Sequence, residues 1–159
     1  MQQYRIRAFT NADAAGLVQV FRESVQGLTQ ADYSAEQRDA WLSLGPDAEG
    51  VAKRCSDGRI TLVAVGAQDQ PVAYIDLEAD GHIDNLYCTP EASGCGLAHE
   101  LYAQVERTAR SLGCVRLYTE ASETARRFFL SRGFQLRARR EIRIGAVLLH
   151  NFRMEKRLT

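Results

Sequence analysis

Two glycines stand at the start of the most regular amphipathic segment of the chain, SGCGLAHELYAQVERTARSLG (93–113). After Gly96 the apolar residues recur every three or four positions, at Leu97, Leu101, Val105, Ala109 and Leu112. This period predicts an α-helix with one buried face. Because glycine is a poor helix former, Gly94 and Gly96 are expected to shape the loop that precedes the helix.

The loop before this helix is a candidate anion site. A helix N-terminus offers unpaired N–H groups and the positive end of a dipole, and glycines leave no side chain between those amides and a ligand. A tight strand-to-helix turn without a ligand is the alternative that the loop alone leaves open. Two other phosphate motifs are excluded, because Leu97-Ala98 replaces the Lys and Ser or Thr of a nucleotide-triphosphatase loop and His99 replaces the third glycine of a dinucleotide loop.

The rest of the chain alternates between strands and helices. Apolar alternation and continuous apolar runs predict strands at 4–9, 59–67, 72–80, 82–89, 114–121, 134–144 and 147–158. The last two strands are expected to form a hairpin across Gly145.

Capping residues predict where the helices begin. Thr10, Ser34 and Ser122 are candidate N-caps, and Gly133 marks the end of the last helix. A further short helical segment is expected to end near Cys55. Because no repeat or linker interrupts this order, the chain is predicted to be one domain over residues 1–159.

Composition narrows the class of protein. The 159 residues carry 20 Lys and Arg against 20 Asp and Glu, so no net charge points to nucleic acid or an anionic membrane. No apolar run approaches a membrane span and the first residues lack a secretion signal, so a cytoplasmic location is expected. The cysteines, Cys55, Cys88, Cys95 and Cys114, form no CxxC pair and have no histidine at zinc-finger spacing, so no metal is expected.

Two linked segments resemble signatures of the GNAT superfamily of N-acetyltransferases. LYCTPEASGCGLAHELY (86–102) is similar to the acyl-CoA signature, roughly L-x-V-x-P and then Q/R-x-x-G-x-G/A, at Leu86, Cys88, Pro90, Gly96 and Ala98. SETARRFFLSRGF (122–134) resembles the element N-x-x-A-x-x-[FL]-Y-x-x-x-G-F at Ala125, Phe128, Gly133 and Phe134. Their order and separation also fit, so the resemblance covers nearly the whole chain.

The resemblance implies a fold and a cosubstrate. The fold is α/β (α+β), with a central mixed, mostly antiparallel sheet of about six to seven strands, splayed between the fourth and fifth strands and flanked by helices. The cosubstrate is acetyl-CoA, whose pyrophosphate is expected on the backbone amides of Ser93, Gly94, Cys95, Gly96, Leu97 and Ala98. Its pantetheine arm is expected along Leu86, Tyr87 and Cys88, with further contacts from Ser122, Ala125, Phe128 and Phe129.

Three positions depart from the family pattern. Ser93 replaces the usual Gln or Arg of the loop, so a side-chain contact is lost while the backbone contacts remain. Ser122 replaces the Asn that often contacts the CoA arm. Phe129 replaces the Tyr that often serves as general acid, and a phenyl ring cannot protonate a leaving thiolate. That role must pass to another group or to water, or be absent.

Acetyl transfer to an amine needs a neutral amine, an oxyanion stabiliser and a proton for the CoA thiolate. Backbone N–H groups near Leu86 and Tyr87 could polarise the thioester carbonyl. Asp84 is the first candidate for general base, because several GNAT enzymes place an acid just before the splay, and Glu78 is the reserve. A structural role for Asp84 at the strand end is the alternative. Tyr118 and Tyr87 are candidate acids, and each could instead be a packing aromatic.

Charge placement adds a hypothesis about the acceptor. No Lys or Arg occurs between Ile60 and Glu106, and Asp76, Glu78 and Asp80 are predicted to share one strand face. If that face lines the acceptor cleft, it attracts a cationic amine. An ordinary solvated face is the alternative.

The acceptor site is expected under the helices of the N-terminal half. Tyr33 and Trp41 lie where GNAT folds carry helices over the acceptor, and together with Asp76 they are the predicted substrate-binding residues. An aromatic ring near acidic groups can hold an ammonium by cation–π contact. A single Trp on a short helix also suits the core.

The sequence therefore predicts an acetyl-CoA-dependent N-acetyltransferase that acts on a primary amine of a small molecule or peptide by direct transfer. A non-catalytic acyl-CoA-binding module is the alternative that Phe129 suggests, and an acid-rich protein-interaction domain without a cofactor is a third. Neither nucleic acid nor a membrane is an expected partner. The last strands could pair two copies of the chain as a homodimer.

Overall fold

Strands and helices follow one another in the order that the sequence predicts, in a computed structural model that describes residues 3–158. The strands are β1 (Arg5–Ala8), β2 (Ile60–Val65), β3 (Pro71–Leu77), β4 (His82–Ile83), β5 (Leu86–Cys88), β6 (Arg116–Ala121), β7 (Gln135–Ile144) and β8 (Val147–Arg157). The helices are α1 (Ala14–Leu28), α2 (Ala35–Ser43), α3 (Ala48–Cys55), α4 (Leu97–Ser111) and α5 (Glu123–Ser131). Within this described part of the chain, no helix has both the length and the apolar character needed to cross a membrane.

The strands form two four-stranded sheets, with the orders β1-β2-β3-β5 and β4-β6-β8-β7. Every pairing is antiparallel except that of β4 with β6, which is parallel. The predicted mixed, mostly antiparallel architecture flanked by helices is confirmed. The structure has more strands than the predicted six or seven, because one predicted strand contributes to both sheets.

The predicted strand at 82–89 is divided into β4 and β5 by a break at Asp84 and Asn85. The carboxylate of Asp76, on β3, accepts the backbone N–H groups of Asp84 at 3.0 Å and of Asn85 at 2.8 Å. Before this break the chain pairs with β6, and after it the chain pairs with β3. The chain therefore crosses from one sheet to the other, and β5 and β6 diverge where the splay is predicted.

Side-chain caps fix the starts of the helices. Ser34 accepts the amide of Gln37 at 3.1 Å, and the side chain of Gln37 accepts the amide of Ser34 at 3.0 Å, so the predicted capping box opens α2. Ser122 accepts the amide of Ala125 at 3.0 Å before α5. The predicted start at Thr10 holds a short 3₁₀ turn that leads into α1.

Helices cover both faces of the first sheet. On one face, Leu101 of α4 packs in a core with Ile75 and Leu77 of β3, and this core extends into the second sheet. On the other face, a second cluster under α1 and α3 includes Leu17, Val20, Val51, Val63 and Val65. The alternative of an ordinary solvated face does not hold for Tyr74 and Asp76, which are buried, whereas Glu78 stays partly exposed.

Candidate active site

The glycine loop between β5 and α4 holds a backbone conformation that needs glycine. Gly94 has φ +75° and Gly96 has φ +87°, in the left-handed region that side chains disfavour. A Cβ added at either position would meet no atom within 4 Å, so the space beside the loop is open. Close packing therefore does not account for these glycines. The left-handed backbone conformation accounts for them. The open space also gives a ligand access to the amides at the start of α4.

The polar side chains of the loop are turned back onto the loop itself. The Ser93 hydroxyl donates to the carbonyl of Pro90 at 2.8 Å, and the Cys95 thiol donates to the carbonyl of Ala92 at 3.0 Å. Among residues 3–158 no side chain caps α4, whose N-cap residue is Gly96. The first amides of α4 are therefore available to an anion.

The strand β5 lies beside this loop and is an edge strand. Its residues, from Leu86 to Cys88, pair with β3 on one side only, and β5 is the last strand in the order of its sheet. The free edge faces the gap where the two sheets diverge. Backbone groups on such an edge can hydrogen-bond an extended ligand as they would another strand. Burial raises the pKa of Cys88 to about 11, so this thiol stays protonated at neutral pH.

A cavity of about 300 Å³ lies in the gap between the sheets. Eight of the predicted site residues line it: Tyr33, Trp41, Asp84, Leu86, Tyr87, Ser122, Ala125 and Phe129. A second cavity of about 160 Å³ lies under α1 and α2 and shares four residues with the first: Trp41, Leu44, Asn85 and Tyr87. Five residues predicted for the cofactor therefore meet two predicted for the acceptor, whereas the glycine loop itself does not line this cavity.

Phe129 leaves this cavity without a proton donor at its position. Its ring is 2% exposed and packs edge-on against Phe134, at 4.9 Å between centroids, and against Phe128, at 5.4 Å. Phe128 itself contacts the rings of His99 and Tyr102 rather than the cavity. The apolar character of the segment thus explains its packing and supplies no acid.

Asp84 lies in the cavity wall with one carboxylate oxygen engaged. Its Oδ2 accepts a hydrogen bond from Arg59 Nη1 at 2.9 Å, and its side chain is 34% exposed. The Arg59 side chain is 7% exposed and also pairs with Asp76 at 2.9 Å and with Asp57 at 3.0 Å. A cation therefore partly neutralises these acidic side chains. Arg59 precedes the stretch that lacks Lys and Arg, but it folds onto that stretch.

Asp76, a predicted substrate-binding residue, is buried and holds the break between β4 and β5. Besides the amides of Asp84 and Asn85, it accepts hydrogen bonds from Arg59 at 2.9 Å and from the Asn85 side chain at 2.8 Å. Burial raises the pKa of Asp76, and the bonds from Asn85 and Arg59 only partly offset that effect. Asp76 borders the smaller cavity, but its carboxylate is occupied by the protein's own donors.

The structure does not bring Glu78 or Tyr118, two predicted catalytic residues, to the cavity wall. Oε1 of Glu78 lies 2.7 Å from Nδ1 of His82. The Tyr118 hydroxyl donates to Asp80, and this bond raises the pKa of Tyr118 to about 12. The Tyr118 ring also stacks on His82, with centroids 4.7 Å apart. Both side chains are therefore engaged beside the cavity rather than in it.

The sequence reasoning missed two ionisable residues of the cavity wall, Glu120 and His150. Glu120 Oε1 lies 2.8 Å from Nε2 of His82, and His150 Nε2 lies 2.7 Å from Glu123. The alternation of β6 carries a signal for Glu120, because it places this residue on the same face as Tyr118. The position of His150 depends on the pairing of β7 with β8, and no local pattern reveals that.

Tyr33 and Trp41, the two aromatic residues predicted to bind the acceptor, both line the cavity, but the Tyr33 hydroxyl is engaged by the protein's own backbone. The Tyr33 hydroxyl accepts the amide of Glu123 at 2.8 Å and donates to the carbonyl of His150 at 2.9 Å, so it joins α5 to β8. Its ring packs edge-on against Trp41, with centroids 5.5 Å apart. Of the pair, only Trp41 borders both cavities.

Comparison with known proteins supports an acyltransferase site. Residues 29–157 match the family model described as "Acetyltransferase (GNAT) domain". A solved structure from Rhodopseudomonas palustris, described as a "GCN5-Related N-acetyltransferase: Aminotransferase, Class-II", is 35% identical, with a TM-score of 0.89 over 99% of this chain and 98% of that chain. The peptidyl-lysine N-acetyltransferase YjaB of Escherichia coli is 28% identical, over 86% of each chain. The PaiA N-acetyltransferase of Thermoplasma acidophilum, solved with coenzyme A, shares the fold, with 20% identity and a TM-score of 0.80 over 98% of this chain and 99% of that chain.

Proposed function

The chain belongs to the GNAT acetyltransferase family, and on that premise we propose that it transfers the acetyl group of acetyl-CoA directly to a primary amine of a small molecule or peptide. One observation carries this proposal. The open glycine loop follows β5 in the chain, and β5 has a free edge and contributes Leu86 and Tyr87 to the wall of the cavity between the sheets.

The residues of the loop and of β5 suit acetyl-CoA. The amides from Gly94 to Ala98 would hold the pyrophosphate, and the open space beside Gly94 and Gly96 would admit it. The predicted contribution of the Ser93 amide is corrected, because this N–H donates to the carbonyl of Pro90 at 3.3 Å. The free edge of β5 would pair with the pantetheine arm, whose amide groups need backbone partners. Ser122 would contribute less than the usual Asn, because its hydroxyl already accepts the amide of Ala125. Bound acetyl-CoA supplies an activated thioester carbonyl.

The cavity suits a positively charged amine acceptor. Two carboxylates, those of Asp84 and Glu120, line it together with the indole of Trp41. A carboxylate attracts an ammonium, and an aromatic face can hold one by cation–π contact. The relative YjaB acts on peptidyl lysine, which is an amine of this class.

Asp84 remains the proposed general base. Its Oδ2 is anchored by Arg59, and the remaining carboxylate oxygen can accept a proton, directly or through water. A proton for the thiolate has no source at Phe129, and the Tyr118 hydroxyl is bound to Asp80. We therefore propose that the thiolate is protonated by water or by the proton that Asp84 takes from the acceptor.

Asp84→Asn is expected to lower kcat about a hundredfold at neutral pH, the usual size of a general-base effect. Acetyl-CoA affinity should stay unchanged, because Asp84 lies outside the glycine loop. Steady-state kinetics and calorimetric titration measure the two quantities. Asp57→Asn is the matched control, since it also removes a carboxylate from Arg59 but at an exposed position. Equal losses in the two variants would assign the effect to Arg59 and not to a base.

The proposed function is tested by two measurements on the same protein. Acetyl-CoA at a hundred times its Kd should stabilise the fold by about 2.7 kcal/mol, seen as a higher Tm. CoA release with a panel of lysyl peptides, polyamines and aminoglycosides should then identify an acceptor. Tight binding without turnover on any amine would contradict the proposal and favour the binding-module alternative. The single domain, the homodimer, the absence of a metal and the cytoplasmic location stay predictions.

A further inference from the structure

A histidine clamped between two glutamates connects the cavity to the protein surface. His82 lies at the start of β4. Its Nε2 is 2.8 Å from Oε1 of Glu120, and its Nδ1 is 2.7 Å from Oε1 of Glu78. Glu120 lines the cavity, whereas Glu78 is 38% exposed outside it. Because carboxylates only accept hydrogen bonds, the ring must donate at both nitrogens, and His82 is an imidazolium in this arrangement.

The surroundings of His82 favour its charged form. Glu120 is the main cause, and with Glu78 and the nearby charge of Asp84 it raises the pKa of His82 to about 9. Asp80 adds a further negative charge and accepts the His82 amide at 3.2 Å, and the Tyr118 ring stacks on the imidazole. The cations packed nearby are Arg59 and Arg116. A guanidinium nitrogen of Arg59 lies 3.9 Å from the Glu78 carboxylate. The Arg116 guanidinium lies 4.6 Å from the centroid of the Tyr118 ring.

The proposed reaction has to remove two protons from the acceptor nitrogen. An alkylamine enters mainly as R–NH₃⁺, because its pKa is about 10. It leaves as an amide that bears one N–H, so one proton must be lost before attack and a second after the C–N bond forms. When the C–S bond breaks, one of these protons ends on the CoA thiolate, and the other leaves to water.

We propose that Glu120 takes the first proton, from the incoming ammonium, and that His82 is the residue that positions Glu120 for this step. Asp84 then takes the second proton, the one returned to the thiolate. The proton on Glu120 is released to water once the acetylated product leaves. This inference rests on the proposed function and divides its proton transfers between two carboxylates that face the same cavity.

Geometry favours this division of roles. One oxygen of Glu120 is fixed by His82, so the carboxylate can keep only a narrow range of orientations in the cavity. Asp84 is fixed in the same way by Arg59, from another side. Both anchored residues line the same cavity, and each carboxylate has one oxygen that its anchor does not use.

The experiment compares Glu120→Gln with Asp84→Asn on two acceptors of matched size. One is an alkylamine, which is protonated at pH 7, and the other is an alkoxyamine, which is already neutral. Glu120→Gln should lower kcat/KM for the alkylamine about a hundredfold. Its kcat/KM for the alkoxyamine should stay close to that of the protein without the substitution. Asp84→Asn should lose activity with both acceptors. Equal losses of Glu120→Gln on both acceptors would overturn the inference.

The role of His82 is tested by the pH profile. In the unchanged protein the raised pKa means that the clamp is intact at neutral pH and is lost as the pH rises through about 9, so kcat/KM should fall there. His82→Gln keeps a neutral donor to Glu120 and should remove this alkaline limb. The NMR titration of His82, followed without any substrate, should shift to lower pH in Glu120→Gln. An unchanged limb in His82→Gln, or an unchanged titration, would overturn the positioning role.

A control variant outside the cavity is needed, and failure of the proposed function must be told apart from failure of the present inference. Arg137→Gln changes an exposed residue of β7, in the same sheet as Glu120 but outside the cavity, and should alter neither profile. If the unchanged protein binds acetyl-CoA but acetylates neither acceptor, the proposed function fails. If it acetylates both acceptors and Glu120→Gln does not distinguish them, only the present inference fails.

Discussion

Replacing Gly96 by aspartate is expected to abolish acetyl-CoA binding while most of the fold stays in place. The new carboxylate would stand in the open space beside the loop, where the diphosphate is proposed to lie. Like charges brought together in this way cost several kcal/mol, which corresponds to a loss of affinity of at least about a hundredfold. Calorimetric titration with acetyl-CoA measures the loss, and circular dichroism checks the fold.

Strain is the competing explanation, and Gly113 separates it from charge. Gly96 has φ +87°, where a side chain costs about 1–2 kcal/mol. Gly113 lies just beyond the other end of α4, has φ +80° and is equally open. Gly113→Asp therefore adds the same strain and the same charge far from the proposed diphosphate. The affinity of this variant for acetyl-CoA should be unchanged. If Gly96→Asp still bound acetyl-CoA normally, the loop would not be the cofactor site.

The parts of the site that follow from local sequence were predictable. Gly94 and Gly96 need their conformations for reasons that lie within the loop, and the apolar period of α4 is visible without any partner. The caps at Ser34 and Ser122 bond residues only three positions away. Each of these features is complete within one segment, so a single sequence carries all the information needed to predict it.

The parts that depend on distant contacts were not predictable from the same patterns. The sequence predicts one strand at 82–89, and Asp76 on another strand holds the break within it. Arg59 neutralises carboxylates up to 25 residues away along the chain. The clamp of Glu120 on His82 spans 38 residues and requires the parallel pairing of β4 with β6. Charge counts and periodicity contain no information about such pairings.

Asp76→Asn is expected to destabilise the fold by about 3 kcal/mol, because it removes a buried charge partner of Arg59 and replaces an acceptor by an amide donor. In the folded chain the Asp76 carboxylate accepts from Arg59, from the amides of Asp84 and Asn85 and from the Asn85 side chain. The NH₂ group of the new Asn would face one of these donors. For a chain of this size the Tm should fall by about 6 to 12 °C, measured by calorimetry together with urea unfolding.

The same variant tests whether Asp76 shapes the active site and not only its stability. If its carboxylate holds the break between β4 and β5, hydrogen exchange at the amides of Asp84 and Asn85 should become faster below the Tm. β5 should then be less well held, and acetyl-CoA should bind more weakly. Asp57→Asn also removes a partner of Arg59, but an exposed one, and should cost no more than about 1 kcal/mol. Equal stability of the two variants, with unchanged exchange at both amides, would contradict this role of Asp76. The break would then have to come from the backbone, because among residues 3–158 no other side chain bonds both amides.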